Sequence, residues 1–112
     1  MNRFFGACLS LLAFVTAAQA DTRVTATWYG EELRGHRTAS GAPFNPNGLT
    51  AAHRSFPFGT CLVVGNPRTG KSVRVTVNDR GPFTAGLSLD LSHGAARAIG
   101  MTSTQTVTMR RC

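Results

Sequence analysis

Between Thr22 and Met109 apolar residues recur at every second position, in short runs separated by glycine- and proline-rich stretches. Val73, Val75 and Val77 alternate with Ser72, Arg74 and Thr76. Val24, Ala26 and Trp28 alternate with Arg23, Thr25 and Thr27, and the same period recurs in Leu87–Leu91 and Thr104–Met109. A period of two marks strands with one buried face. Cys61–Val64 reads as a further short apolar strand, joined to Ser72–Val77 by a hairpin loop over Gly65–Gly70. One stretch, His93 to Ile99, reads as helix. Ser92 stands at its N-cap, Gly100 at its stop, and Ala95, Ala96 and Ile99 form its packed face. His93, at the helix start, is expected to face solvent. Five or six short strands with one short helix define a mainly β chain, and closure into a small six-stranded barrel is the simplest way to remove exposed strand edges.

The first twenty residues stand apart from this pattern. Arg3 precedes an apolar run from Phe4 to Ala18, and Ala18-Gln19-Ala20 has the small-residue form of a cleavage site. Residues 1–20 are therefore expected to be a cleaved secretory signal peptide. The run is shorter than the roughly 20 residues that span a bilayer, and Cys8 lies at its start, the wrong place for a lipid-acceptor cysteine. The expected product is residues 21–112, a single soluble domain, secreted or periplasmic, monomeric and without a membrane anchor. Its two cysteines, Cys61 and Cys112, imply one disulfide in an oxidising compartment. Closing a loop of about fifty residues stabilises a small core by roughly 4 kcal/mol in the chain-entropy account.

Residues 21–112 hold eleven basic and five acidic side chains, a net charge of +6. The basic residues are scattered, with no run and no interleaved aromatics, which argues against nucleic acid as a partner. An exported basic domain would meet anionic polymers such as cell wall. His36, His53 and His93 have no ligand partner at metal spacing, so neither a metal nor another cofactor is expected.

The chemistry concentrates where the alternation of Ser72–Val77 stops, at Asn78-Asp79-Arg80-Gly81-Pro82-Phe83. An acid and a base sit side by side before a turn. They form either a salt-bridged turn or a carboxylate presented at a strand end. Glu31 to Gly48 is a long loop for so small a domain, and such loops are usually functional or disordered. It holds Glu31, Glu32, His36, Arg37, Thr38 and Ser40. Leu49-Thr50-Ala51-Ala52-His53 places small residues beside a histidine that is either a buried hydrogen-bonder or a site residue. Trp28 and Tyr29 are either core anchors or a sugar-stacking platform.

Six stretches occur in a familiar order: Ala26-Thr27-Trp28-Tyr29-Gly30, Arg37-Thr38-Ala39-Ser40-Gly41, Leu49-Thr50-Ala51-Ala52-His53, Pro57-Phe58-Gly59-Thr60, Asn78-Asp79-Arg80-Gly81-Pro82-Phe83 and Asp90-Leu91-Ser92. In this the chain resembles the rare lipoprotein A (RlpA-like) family over roughly residues 24–112. The resemblance implies a double-psi β-barrel and lytic transglycosylase action on peptidoglycan glycan strands stripped of stem peptides. It maps two catalytic residues onto His53 and Asp79, with Asp79 as general acid/base and His53 supporting it. Family members also carry an acid just after the Ser-Gly of the first loop, and here that position is Ala42. Glu31 or Glu32 is a possible substitute acid. Trp28, Tyr29, Asn78 and Arg80 are the expected substrate contacts. The same departure leaves a second reading open, a non-catalytic, expansin-like module that holds peptidoglycan without cutting it.

Overall fold

The computed structural model describes residues 21–112, and the signal peptide expected over residues 1–20 lies outside them. The chain runs β1 (Thr22–Tyr29), a 3-10 turn (Glu31–Leu33), β2 (Thr50–Ala52), β3 (Cys61–Asn66), β4 (Lys71–Asp79), β5 (Leu89–Ser92), helix α1 (His93–Ala98) and β6 (Gln105–Arg111). The six strands close into a barrel in the order β1-β5-β2-β4-β3-β6. The β1–β5 and β2–β4 pairs are parallel and the rest antiparallel. This is the mainly β barrel with one short helix that the sequence leads one to expect, and its sixth strand, β2, comes from the small residues Thr50–Ala52, which carry no alternation.

The inward positions of each run fill the barrel. Ala26, Ala51, Leu62, Val64, Val75, Val77, Leu89, Leu91 and Val107 are buried, and Ala95, Ala96 and Ile99 of the helix region join them. A core this small gains from a covalent staple, and the Cys61–Cys112 disulfide supplies one, spanning 51 residues with 5.4 Å between Cα atoms. The Cys112 N–H also donates to the Cys61 carbonyl at 3.0 Å.

Several boundaries differ from the sequence expectation, three of them as follows. β3 runs on through Gly65 and Asn66, leaving a hairpin loop of Pro67–Gly70. Asn66 can enter the strand because its buried side chain is fully engaged: it donates to the Ile99 carbonyl at 2.8 Å and accepts from Gln105 Nε2 at 2.8 Å and from the Arg68 N–H at 2.9 Å. β4 does not end at Val77 but reaches Asp79. Its register against β2 passes from Ala51↔Val77 to Ala52↔Asp79. The break in alternation at Asn78 is thus a bulge that re-aims the next side chain rather than a strand end. The third is β5, which starts at Leu89 and not at Leu87.

A polar knot locks the helix to the loop before β2. Ser92 Oγ accepts the N-cap bond from the Ala95 N–H at 3.2 Å, accepts from the Thr50 N–H at 3.2 Å, and donates to the Gly48 carbonyl at 2.6 Å. Gly94 packs against the same loop and donates to the Pro46 carbonyl at 2.7 Å. A Cβ on Gly94 would lie 2.7 Å from the Asn47 carbonyl oxygen and 2.9 Å from that of Gly48, both backbone atoms that cannot swing aside. We expect Gly94→Ala to cost about 1–3 kcal/mol through overpacking, lowering Tm by several degrees or more. A thermal melt unchanged from wild type would show that the loop yields instead.

Candidate active site

The outward faces of β4, β2 and β5 meet in one row. Ala52 is registered with Asp79 on one side and Asp90 on the other, and Asp90 in turn with Thr27 of β1. Registered partners share a face, and the core residues Ala51, Val77 and Leu91 occupy the opposite one. Two carboxylates therefore flank a single methyl group. Adjacent strands lie about 4.8 Å apart, which puts the Asp79 and Asp90 backbones roughly 10 Å from each other.

The loop before β2 covers this row. Phe44 is buried and stacks on Tyr29 with ring centroids 4.5 Å apart. The turn at Thr38–Gly41 docks on the bulge: the Ala39 N–H donates to Asp79 Oδ1 at 2.9 Å and the Ser40 N–H to the Asn78 carbonyl at 3.2 Å. Thr38 is buried and its hydroxyl donates to the Ala42 carbonyl at 2.8 Å. Ala42 is thus exposed on the covering loop and contributes only backbone.

Asp79 and Arg80 do not form the salt-bridged turn that their adjacency allows. Asp79 Oδ1 accepts two backbone N–H groups, from Ala39 and from Arg80, each at 2.9 Å. The Arg80 guanidinium turns to the carbonyls of Phe56 at 2.9 Å and His53 at 3.2 Å, and sits over the Phe58 ring at 4.1 Å. It braces the loop that carries His53. The His53 N–H donates to the Asp79 carbonyl at 3.2 Å, which draws the two residues together. Among the described residues no side-chain bond joins them. Instead His53 Nδ1 accepts the Ser55 and Phe56 N–H groups at 3.1 and 3.0 Å, and the ring stacks on Phe56. With Nδ1 an acceptor, the neutral ring carries its proton on Nε2. Burial, then the charges of Arg54, Arg80 and Arg111, lowers the His53 pKa and favours that neutral form.

In the sequence Asp90 is visible only as part of Asp90-Leu91-Ser92, yet it is the most perturbed carboxyl among the described residues. Burial first, then Asp79 and Glu32, pushes its pKa up to about 7. Its Oδ1 is buried and has no hydrogen-bond partner. The neighbouring Tyr29 hydroxyl is also buried without a well-formed bond, and burial together with Asp79 and Asp90 raises its pKa. The side-chain oxygen of Asn78 is buried and unpartnered as well.

The remaining candidates lie further out. Glu31 is exposed and paired with Arg34, whose hydrogen bonds hold its carboxyl below the usual range, the opposite of what a proton donor needs. Glu32 is exposed on the 3-10 turn and reaches the site through its charge on Asp90. Trp28 donates from Nε1 to the Thr102 carbonyl at 3.1 Å and packs against the core, and one ring face is covered by His93 at 4.3 Å. His93 is accordingly half-buried rather than solvent-facing. Tyr29 likewise has Phe44 on one face, so stacking of a sugar on either ring would use the other face or an edge. The open aromatic nearest Asp79 in the chain is Phe83, 78% exposed. Among the described residues no group of three or more His, Cys, Asp or Glu is placed to hold a metal ion, and no helix is long and apolar enough to cross a membrane.

The sequence matches the family described as lytic transglycolase over residues 21–110. The chain belongs to the lytic transglycolase family. Among its relatives, the probable endolytic peptidoglycan transglycosylase RlpA of Synechocystis sp. is 62% identical over 70% of this chain and 24% of that protein. The endolytic peptidoglycan transglycosylase RlpA of Campylobacter jejuni is 45% identical over 76% of this chain and 31% of that protein. This lytic transglycolase chain thus spans about a quarter to a third of the length of these relatives. The apo expansin of Clavibacter michiganensis has the same fold, with a TM-score of 0.64 and 27% identity over 83% of this chain and half of the expansin.

In this family member the Asp90 carboxyl titrates near 7 when folded and near the ordinary aspartate value when unfolded. The folded state thus holds that proton more tightly, and its contribution to stability is present below about pH 4 and lost as pH rises through about 7. Asp90→Asn should therefore gain stability relative to wild type between pH 4.5 and pH 8. Urea midpoints at the two pH values check this, and a difference that does not change with pH would contradict it.

Proposed function

We propose that this chain is an exported lytic transglycosylase that cleaves peptide-poor peptidoglycan glycan strands endolytically to products with 1,6-anhydro ends. Its family membership and the names of its relatives support the reaction class. The observation that carries the proposal is that Asp79, oriented by the Ala39 and Arg80 N–H groups, lies next to a His53 whose pKa is lowered. The reaction needs a group that protonates the glycosidic oxygen and then takes the proton of the sugar's own 6-hydroxyl, with no water nucleophile. Here Asp79 faces the reacting sugar, and His53 offers Nε2–H as a hydrogen-bond donor beside it. Tyr29 and Asn78 stand beside the site, each with a buried polar atom that lacks a partner. Arg80 acts by bracing the His53 loop, and the chain's positive charge draws the anionic polymer to the groove.

Mass spectrometry of soluble products from peptide-stripped glycan strands tests this. Wild type should release 1,6-anhydro-ended fragments, and Asp79→Asn should lower the rate at least about 100-fold. Retained binding to sacculi with no product from wild type would establish the second reading, a glycan-holding module, which Ala42 favours.

A further inference from the structure

Position 42 offers no acid, Glu31 is committed to Arg34, and Glu32 stands exposed on the covering loop. Asp79, the acid/base that the family resemblance maps, already has two backbone N–H donors on Oδ1, which leaves the second carboxyl of this face, Asp90, as a further candidate for the exchangeable proton. We propose that Asp90 carries that proton, as the general acid and then the general base, while Asp79 serves as the fixed anion beside it. The assignment rests on the transglycosylase reading.

Geometry supplies the argument. Asp90 stands on the same outward face as Asp79, one strand removed from it across Ala52. Ala52 projects only a methyl group, so no side chain of β2 separates the two carboxyls and none brings a charge. Asp90 Oδ1 is buried and accepts no hydrogen bond from the described residues. An ionised carboxylate pays heavily for such an oxygen, whereas a neutral carboxylic acid does not. Asp79 differs in this respect, since its Oδ1 has two backbone donors at 2.9 Å. The two acids of one groove are thus given different environments, the arrangement by which paired carboxyls divide acid and anion roles. The titratable groups around Asp90 reinforce this: Asp79 from β4 and Glu32 from the 3-10 turn are both acidic, and Tyr29 of β1 is neutral.

The step balances without a co-reactant. Protonated Asp90 gives its proton to the glycosidic oxygen as the bond from that oxygen to the anomeric carbon breaks. Positive charge then develops on the anomeric carbon and faces the Asp79 carboxylate. The sugar's 6-hydroxyl oxygen bonds to that carbon, closing the 1,6-anhydro ring, and its proton passes to the Asp90 carboxylate. Asp90 ends the cycle protonated, as it began.

Two measurements test the assignment. With peptide-stripped glycan strands, Asp90→Asn should lower kcat at least about 100-fold while binding to sacculi is kept, and wild-type kcat/KM should fall as pH rises above about 7. In a carbon-13 NMR titration of wild-type aspartate carboxyls, Asp90 should have its midpoint near 7, and that midpoint should drop in Asp79→Asn, where the neighbouring charge is gone. Active wild type with an Asp90→Asn variant within a few-fold of it, or an Asp90 midpoint near 4, overturns the role of Asp90 and leaves the transglycosylase reading standing. Wild type that yields no anhydro product overturns both.

Discussion

Ala52 lies between two carboxylates because β2 pairs in parallel with β4 and antiparallel with β5. That double pairing is the constraint from which the rest of the site follows. β2 is only three residues long, yet without it the barrel would open between β4 and β5. Its inward residue, Ala51, completes the core, and its outward residue, Ala52, spaces the acids. The bulge at Asn78 is what lets Asp79, rather than Asn78, face outward at this point. Core packing and site geometry are thereby set by the same few backbone hydrogen bonds.

Electrostatics then separates two side chains of identical chemistry. Asp79 lies where a docked loop points an N–H at it; Asp90 lies where no donor reaches. The difference comes from the covering loop, which supplies the Ala39 N–H, and from the end of β4, where the Arg80 N–H turns back to Asp79. A backbone that leaves one carboxylate oxygen satisfied and the next without a donor builds unequal acids from equal residues, which paired-carboxyl chemistry requires. His53 follows the same logic: burial first, then three arginines around it, lower its pKa, and two N–H groups are aimed at Nδ1.

Much of this is legible in the sequence, and its limits are physical. The alternation around Val73, Val75 and Val77 depends only on which residues avoid water, so the longer strands follow from it, whereas the three-residue β2 has no alternation to show. Ser92 announces the helix start because N-caps are local chemistry. His53 and Asp79 stand out through the family resemblance. Asp90 does not, because its alternation says only that it faces outward. Its depth and its like-charged neighbour come from register across three strands and from a loop forty residues earlier. Arg80 misleads for a related reason: adjacency in sequence suggests a pair with Asp79, but the carbonyls of the 53–56 loop compete for its guanidinium and win. The Trp28–His93 stack joins residues 65 positions apart and leaves no local trace.

The Cys61–Cys112 disulfide divides the molecule in a way the barrel conceals. It closes a covalent ring that contains β3, β4, β5, α1 and β6, and with them both acids of the groove. β1, the covering loop, β2 and His53 lie on a free arm outside the ring. Within the ring β4 and β5 are not neighbours; the arm must wedge β2 between them before they share a sheet. The ring alone therefore carries the carboxyl groups but not their arrangement. The row of Asp79, Ala52 and Asp90 exists only with the arm docked on the ring.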